Sequence, residues 1–184
     1  MRIESIGLNA VLHPAPPIVV LTGVSGSGKT TIGLALAERL GWQFQEGDAL
    51  HPPANCEKMA NGVPLDDADR APWLQALADW IDRQQRSGQP ALLTCSALKR
   101  RYREVLRAGR ANVWFVHLRV DPAVLVQRVR ARPGHFMPAS LLPSQLALYE
   151  PFAAGEPGLE LDAEGAPAAT VGAPLNLARP AIDR

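Results

Sequence analysis

The run Gly23-Val24-Ser25-Gly26-Ser27-Gly28-Lys29-Thr30 constrains this chain more than any other stretch of it. It fills the pattern G-x-x-x-x-G-K-[ST], in which glycines let the backbone wrap around phosphate oxygens and turn its N–H groups toward them. Lys29 is the residue type that reaches β- and γ-phosphates, and Thr30 the type whose hydroxyl ligates Mg²⁺. Thr31 continues into a helix whose positive dipole end faces the same phosphates. The pattern requires a buried strand before it and a helix after it. Ile18-Val19-Val20-Leu21-Thr22 is a short β-branched run, and Ile32, Leu36 and Leu40 recur at fourfold spacing before Gly41. ATP and Mg²⁺ are the ligands this predicts; the competing reading, a merely flexible turn, leaves the flanking strand and helix unexplained.

Strand and helix signals alternate along the rest of the chain. Strands are expected at 42–45, 91–95 and 113–120, with a weak last one at 158–161. Helices are expected from His51-Pro52-Pro53 to Met59, from a cap at Asp69 to Gly88, after a cap at Ser96, from Asp121-Pro122 to Arg130, and over 139–150. Trp73, Leu77, Trp80 and Ile81 form one apolar stripe and read as core. This order predicts an α/β fold: a parallel, doubly wound sheet in the three-layer P-loop NTPase arrangement, with ligands at the carboxyl ends of the strands. With 184 residues, 47% of them hydrophobic, one domain is expected over 17–162. A loose lead-in, 1–16, precedes it, and a tail over 163–184, broken by glycine and proline, comes after it.

A net charge of +1 offers no broad attraction for nucleic acid or anionic lipid, so a small-molecule partner is expected. No stretch has the apolar length of a membrane span, and the first seventeen residues are too broken for a secretory core. Two cysteines, Cys56 and Cys95, the latter closing an apolar run, suit free thiols in a reducing cytoplasm.

The phosphate loop is shared by kinases, switch GTPases and motor ATPases. An Asn-Lys-x-Asp guanine-reading element is absent and motors are generally larger, which leaves small-molecule phosphotransfer. Such a kinase wants a carboxylate at the acceptor hydroxyl and cations for an anionic substrate. Asp48, at a strand end with His51 one turn on, suits the first task, or serves as a turn aspartate. Lys99 and Arg103, four apart, either clamp an anion or belong to a solvated basic face; Arg70 either meets substrate or pairs with Asp66, Asp67 and Asp69. Arg128 and Arg132 flank the bent segment 132–138, which reads as a short lid, although surface arginines in a helix explain them equally.

Taken together the ordered segments resemble the gluconate kinase family of P-loop carbohydrate kinases. The residues that carry the resemblance are the phosphate loop, Gly47-Asp48-Ala49-Leu50-His51-Pro52, Asn55-Cys56-Glu57-Lys58-Met59 and the stretch from Pro64 to Leu74. Cys95-Ser96-Ala97-Leu98-Lys99-Arg100-Arg101-Tyr102-Arg103, Gly134-His135-Phe136-Met137-Pro138 and Leu141-Leu142-Pro143-Ser144-Gln145 complete it. The resemblance implies a fold similar to nucleoside-monophosphate and shikimate kinases, ATP-dependent phosphorylation of D-gluconate at its 6-hydroxyl, and a homodimer. It implies Asp48 as the acceptor-side carboxylate, His51, Arg70, Lys99, Arg103 and His135 as substrate contacts, and Lys29, Arg128 and Arg132 at the transferring phosphoryl group. Glu46 departs from the family's usual aspartate, and the end of the chain departs from its usual strand and long helix. Another small-molecule kinase of the shikimate or nucleotide type, and an ATP-binding regulator without catalysis, are the competing functions.

Overall fold

The computed structural model describes residues 15–131 and 138–165. Five parallel strands form one sheet: β1 (Ile18–Thr22), β2 (Gln43–Gln45), β3 (Ala91–Thr94), β4 (Val113–Arg119) and β5 (Gly158–Asp162), in the order β2-β3-β1-β4-β5. The crossovers carry α1 (Lys29–Leu40), α2 (Pro53–Ala60), α3 (Asp67–Ser87), α4 (Arg100–Arg107), α5 (Pro122–Arg130) and α6 (Leu142–Ala147). All pairings are parallel, with Ile18 opposite Ala91 on one side and Val113 on the other.

Every residue of β1 is buried, and its side chains split by the period of two. Ile18 and Val20 join Trp73, Leu77 and Ile81 of α3 and Leu106 of α4. Val19 and Leu21 join Ile32 and Leu36 of α1, Leu125 of α5 and Leu142 of α6. The sheet is thus the middle of three layers, as a strand apolar on both faces demands. It is the expected doubly wound α/β P-loop fold.

Three helices differ from the sequence expectation. α3 begins at Asp67 because Asp66, not Asp69, is the cap: Asp66 accepts from the Asp69 N–H at 2.8 Å and Asp69 accepts from the Asp66 N–H at 2.8 Å. Pro72 consequently lies in the second turn of α3, where it deletes the bond to the Ala68 carbonyl. α4 begins only at Arg100, with Lys99 as its cap. Ser96 caps nothing there; its carbonyl accepts from the Gly23 N–H at 3.4 Å, and Ala97 takes the left-handed conformation (φ 36°) in the turn between. The helix expected over 139–150 is a 3₁₀ turn, Ala139–Leu141, leading into the short α6. Residues 1–14 of the expected lead-in, 132–137 of the expected lid, with Arg132 and His135, and 166–184 of the expected tail lie outside the described residues.

Candidate active site

The carboxyl ends of β1, β2 and β3 lie side by side, so the segments leaving these strands converge on one region. After β1 comes the phosphate loop. Gly23 has φ 141°, and a Cβ there would stand 2.7 Å from Ser27 Oγ and 3.0 Å from the Leu118 carbonyl oxygen. Only glycine fits so tight a wrap. Lys29, at the start of α1, turns its ammonium back to the carbonyls of Gly23 (3.0 Å) and Val24 (3.1 Å). Ser27 Oγ is buried and has no hydrogen-bond partner among the described residues. A buried polar atom left so costs free energy until something supplies the bond, and a phosphate oxygen in the loop is suited to do so.

Glu46, the residue after β2, was not singled out for a role by the sequence, yet it reaches the loop. Thr30 Oγ1 donates to Glu46 Oε2 at 2.6 Å, and the Thr94 hydroxyl donates to Glu46 Oε1. The hydroxyl and carboxylate oxygens are hard donors placed beside the phosphate loop. They fit a Mg²⁺ that takes one or two protein ligands and completes its octahedron with phosphate oxygens and water. Among the described residues no larger cluster of metal-ligating side chains exists.

Asp48 is held by its neighbour. The Gly47 N–H donates to Thr94 Oγ1 at 3.0 Å, and Trp73 Nε1 donates to the Gly47 carbonyl at 2.8 Å. A Cβ at Gly47 would overlap the Thr94 carbonyl oxygen, so this approach of the β2 and β3 ends requires glycine. Trp73 therefore does more than fill the core, since its ring also stacks on His51 with centroids 4.1 Å apart. Burial, and then the Arg70 charge, pushes His51 down to about 4, which leaves it neutral at pH 7.

Arg70 is 6% exposed, lies 5.8 Å from the Tyr102 ring centroid and forms no ion pair with the acids in front of it. Its Nε has no partner among the described residues. Those acids are spent elsewhere: Asp69 on Lys58, and Asp67 on Tyr102, Lys99 and Arg101. The Tyr102 hydroxyl, followed by Lys99 and Arg101, holds the Asp67 carboxyl down at about 2. A buried guanidinium without a carboxylate is costly and calls for an anion. Burial pushes the Cys95 thiol at the end of β3 up to about 12, and Asp48, Lys29 and Arg70 all act on it electrostatically. The phosphate loop after β1, Asp48 after β2 and the turn after β3 thus leave neighbouring strand ends.

Arg103 does not join them. It is 2% exposed, forms two bonds to the Glu156 carboxylate, and donates to the carbonyls of Ala97, Leu98, Glu150 and Pro151. Lys99 and Arg103 form no common clamp: Lys99 pairs with Asp67 while Arg103 turns into the protein. Arg128 lies on the phosphate-loop cavity: with Gly26, Ser27, Gly28, Thr31, Ile32, Ala131, Ala163 and Gly165 it lines a space of about 380 Å³. Its Nη2 donates to the carbonyls of Ala163 and Glu164, both at 3.1 Å.

A family model described as an AAA domain matches residues 19–137. A gluconokinase of Gluconobacter oxydans is 56% identical over 152 residues, covering 83% of this chain and 85% of that one. The thermoresistant gluconokinase of Escherichia coli is 48% identical over 135 residues, 73% of this chain and 77% of that one. The crystal structure of a gluconokinase from Sinorhizobium meliloti superposes with a TM-score of 0.79 at 43% identity, covering 93% and 97% of the two chains. With its phosphate loop and this kinship over most of its length, the chain belongs to the gluconokinase family.

Proposed function

We propose that this chain transfers the γ-phosphoryl group of ATP to the 6-hydroxyl of D-gluconate, forming 6-phosphogluconate and ADP. The observation that carries the reading is the buried Arg70, an anion-seeking group whose Nε has no partner among the described residues. Kinship with gluconokinases supplies the anion's identity.

The acceptor oxygen attacks the γ-phosphorus in line as the bond to the β–γ bridging oxygen breaks. Asp48 orients the hydroxyl and takes its proton. Lys29 leaves the Gly23 and Val24 carbonyls to meet the β- and γ-phosphoryl oxygens, and the N–H groups from Gly26 to Thr31 cradle the phosphates. Thr30 and Glu46 would hold Mg²⁺, which when bound neutralises charge on those oxygens. Arg70 receives the gluconate carboxylate, with Lys99 at the same mouth, and neutral His51 offers a hydrogen bond to sugar hydroxyls. Arg128 walls the nucleotide; Arg132 and His135 are assigned to the lid on resemblance alone. Arg103 is assigned to the framework. A cytoplasmic setting suits the free Cys56 and Cys95.

The position of transfer is tested by ³¹P NMR of the product. A phosphorus coupled to the two protons of C6 is expected; a phosphate on another carbon would sink the assigned geometry.

A further inference from the structure

The motif Leu141-Leu142-Pro143-Ser144-Gln145 has no role in the chemistry above, yet its last residue touches the phosphate loop. The Ser25 N–H donates to Gln145 Oε1 at 2.8 Å, and Ser25 is buried. A backbone N–H only donates, so the amide oxygen is the end that faces the loop. What places Gln145 there is packing at its own turn. Leu142 is sealed in the apolar layer with Ile32 and Leu36 of α1, and Ser144 Oγ closes the turn on the Leu141 carbonyl at 2.7 Å. Leu141 packs with Met59 and Leu65. Met59 belongs to α2 and Leu65 leads into α3, the helices that hold Asn55 and Arg70. One short element therefore touches the acceptor-side helices through Leu141 and the phosphate loop through Gln145.

We propose that Gln145 is a positioning residue for phosphoryl transfer: its amide oxygen holds the Ser25 N–H, and with it the tip of the phosphate loop, in register with the acceptor-side helices. In-line transfer needs the reacting atoms about 3–3.5 Å apart, and a misplacement of about 1 Å costs on the order of a hundredfold. ATP affinity is spread over Lys29 and several further N–H groups, so it depends far less on this one contact. The inference rests on the kinase reading, whose failure is separable from its own because ATP hydrolysis without any acceptor reports on the same loop.

The test compares Gln145→Met, which keeps side-chain length and removes the acceptor, with Gln145→Glu, which keeps an acceptor and adds charge beside the phosphates. Gln145→Met is expected to lower kcat on gluconate about tenfold or more, with KM for ATP within about threefold of wild type. The slow hydrolysis of ATP, in which water replaces the hydroxyl, falls in the same proportion. Gln145→Glu is expected to retain kcat within about threefold while raising KM for ATP about tenfold by like-charge repulsion. Both thermal midpoints stay within about 2 °C of wild type. Wild-type kcat and hydrolysis in Gln145→Met, equal kcat losses in the two variants, or a kcat loss matched by a fall in thermal midpoint overturns the proposal.

Discussion

In the proposed reaction Asp48 and Arg70 divide the acceptor chemistry between a proton and a charge, and their variants are expected to separate accordingly. Asp48→Asn keeps size and hydrogen bonding but cannot take the proton, so kcat is expected to fall by about 10²–10⁴ with a smaller change in KM for gluconate. Steady-state kinetics checks this, and unchanged kcat would remove Asp48 from the reaction. Arg70→Met removes the anion anchor and also an uncompensated buried charge. KM for gluconate is expected to rise on the order of a hundredfold, while the thermal midpoint without ligand stays level or rises, because a methionine of similar volume avoids the desolvation cost. A midpoint several degrees lower would mean that Arg70 has a structural counterion.

At the scale of elements, Arg103 joins α4 to the turn over 96–99 and to the segment that leads into β5, through Glu156 and four backbone carbonyls. Glu156→Ala leaves a buried guanidinium unpaired and is expected to cost about 3–5 kcal/mol, seen as a drop of roughly 10 °C in thermal midpoint. Should that variant keep its midpoint and only weaken gluconate binding, Arg103 would return to the substrate contacts. The sequence could not show this inward turn, because a spacing of four says which residues are neighbours on a helix and not which distant groups each side chain meets. Glu156 and the carbonyls that draw Arg103 inward come from 97–98 and 150–156, so the pairing that separates it from Lys99 is largely long-range. The cap of α3 was readable, since Asp66 and Asp69 stand three apart, but the pattern is more familiar with serine and glutamate. The contacts of Glu46, noted in the sequence only as a departure from an aspartate, were hidden for a different reason: the one with Thr94 depends on the register of β2 against β3, a long-range pairing. β1, the loop and α1 were legible because their signals are local and agree with one another.

For the whole molecule, burial pushes both His51 and His117 down to about 4 from an ordinary 6.5. His117 is enclosed by Thr22, whose hydroxyl lies 3.1 Å from Nδ1, and by the Tyr149 ring stacked at 4.1 Å. The unfolded chain binds protons at these sites as pH falls below 6.5, and the folded chain does so only near 4. Their contribution is therefore complete above about pH 6.5 and lost as pH falls toward 4. The thermal midpoint is expected to decline across that window, and a flat profile from pH 7 to 4.5 would contradict the burial of both rings. The three layers bring the carboxyl ends of β1, β2 and β3 side by side, and the proposed reaction takes place there. The most direct test measures ADP release with ATP·Mg²⁺ and gluconate, shikimate or a nucleoside monophosphate as acceptor. Turnover on the order of 1–100 s⁻¹ with gluconate, and background with the others, is the predicted result; background with gluconate and turnover with another acceptor would contradict it.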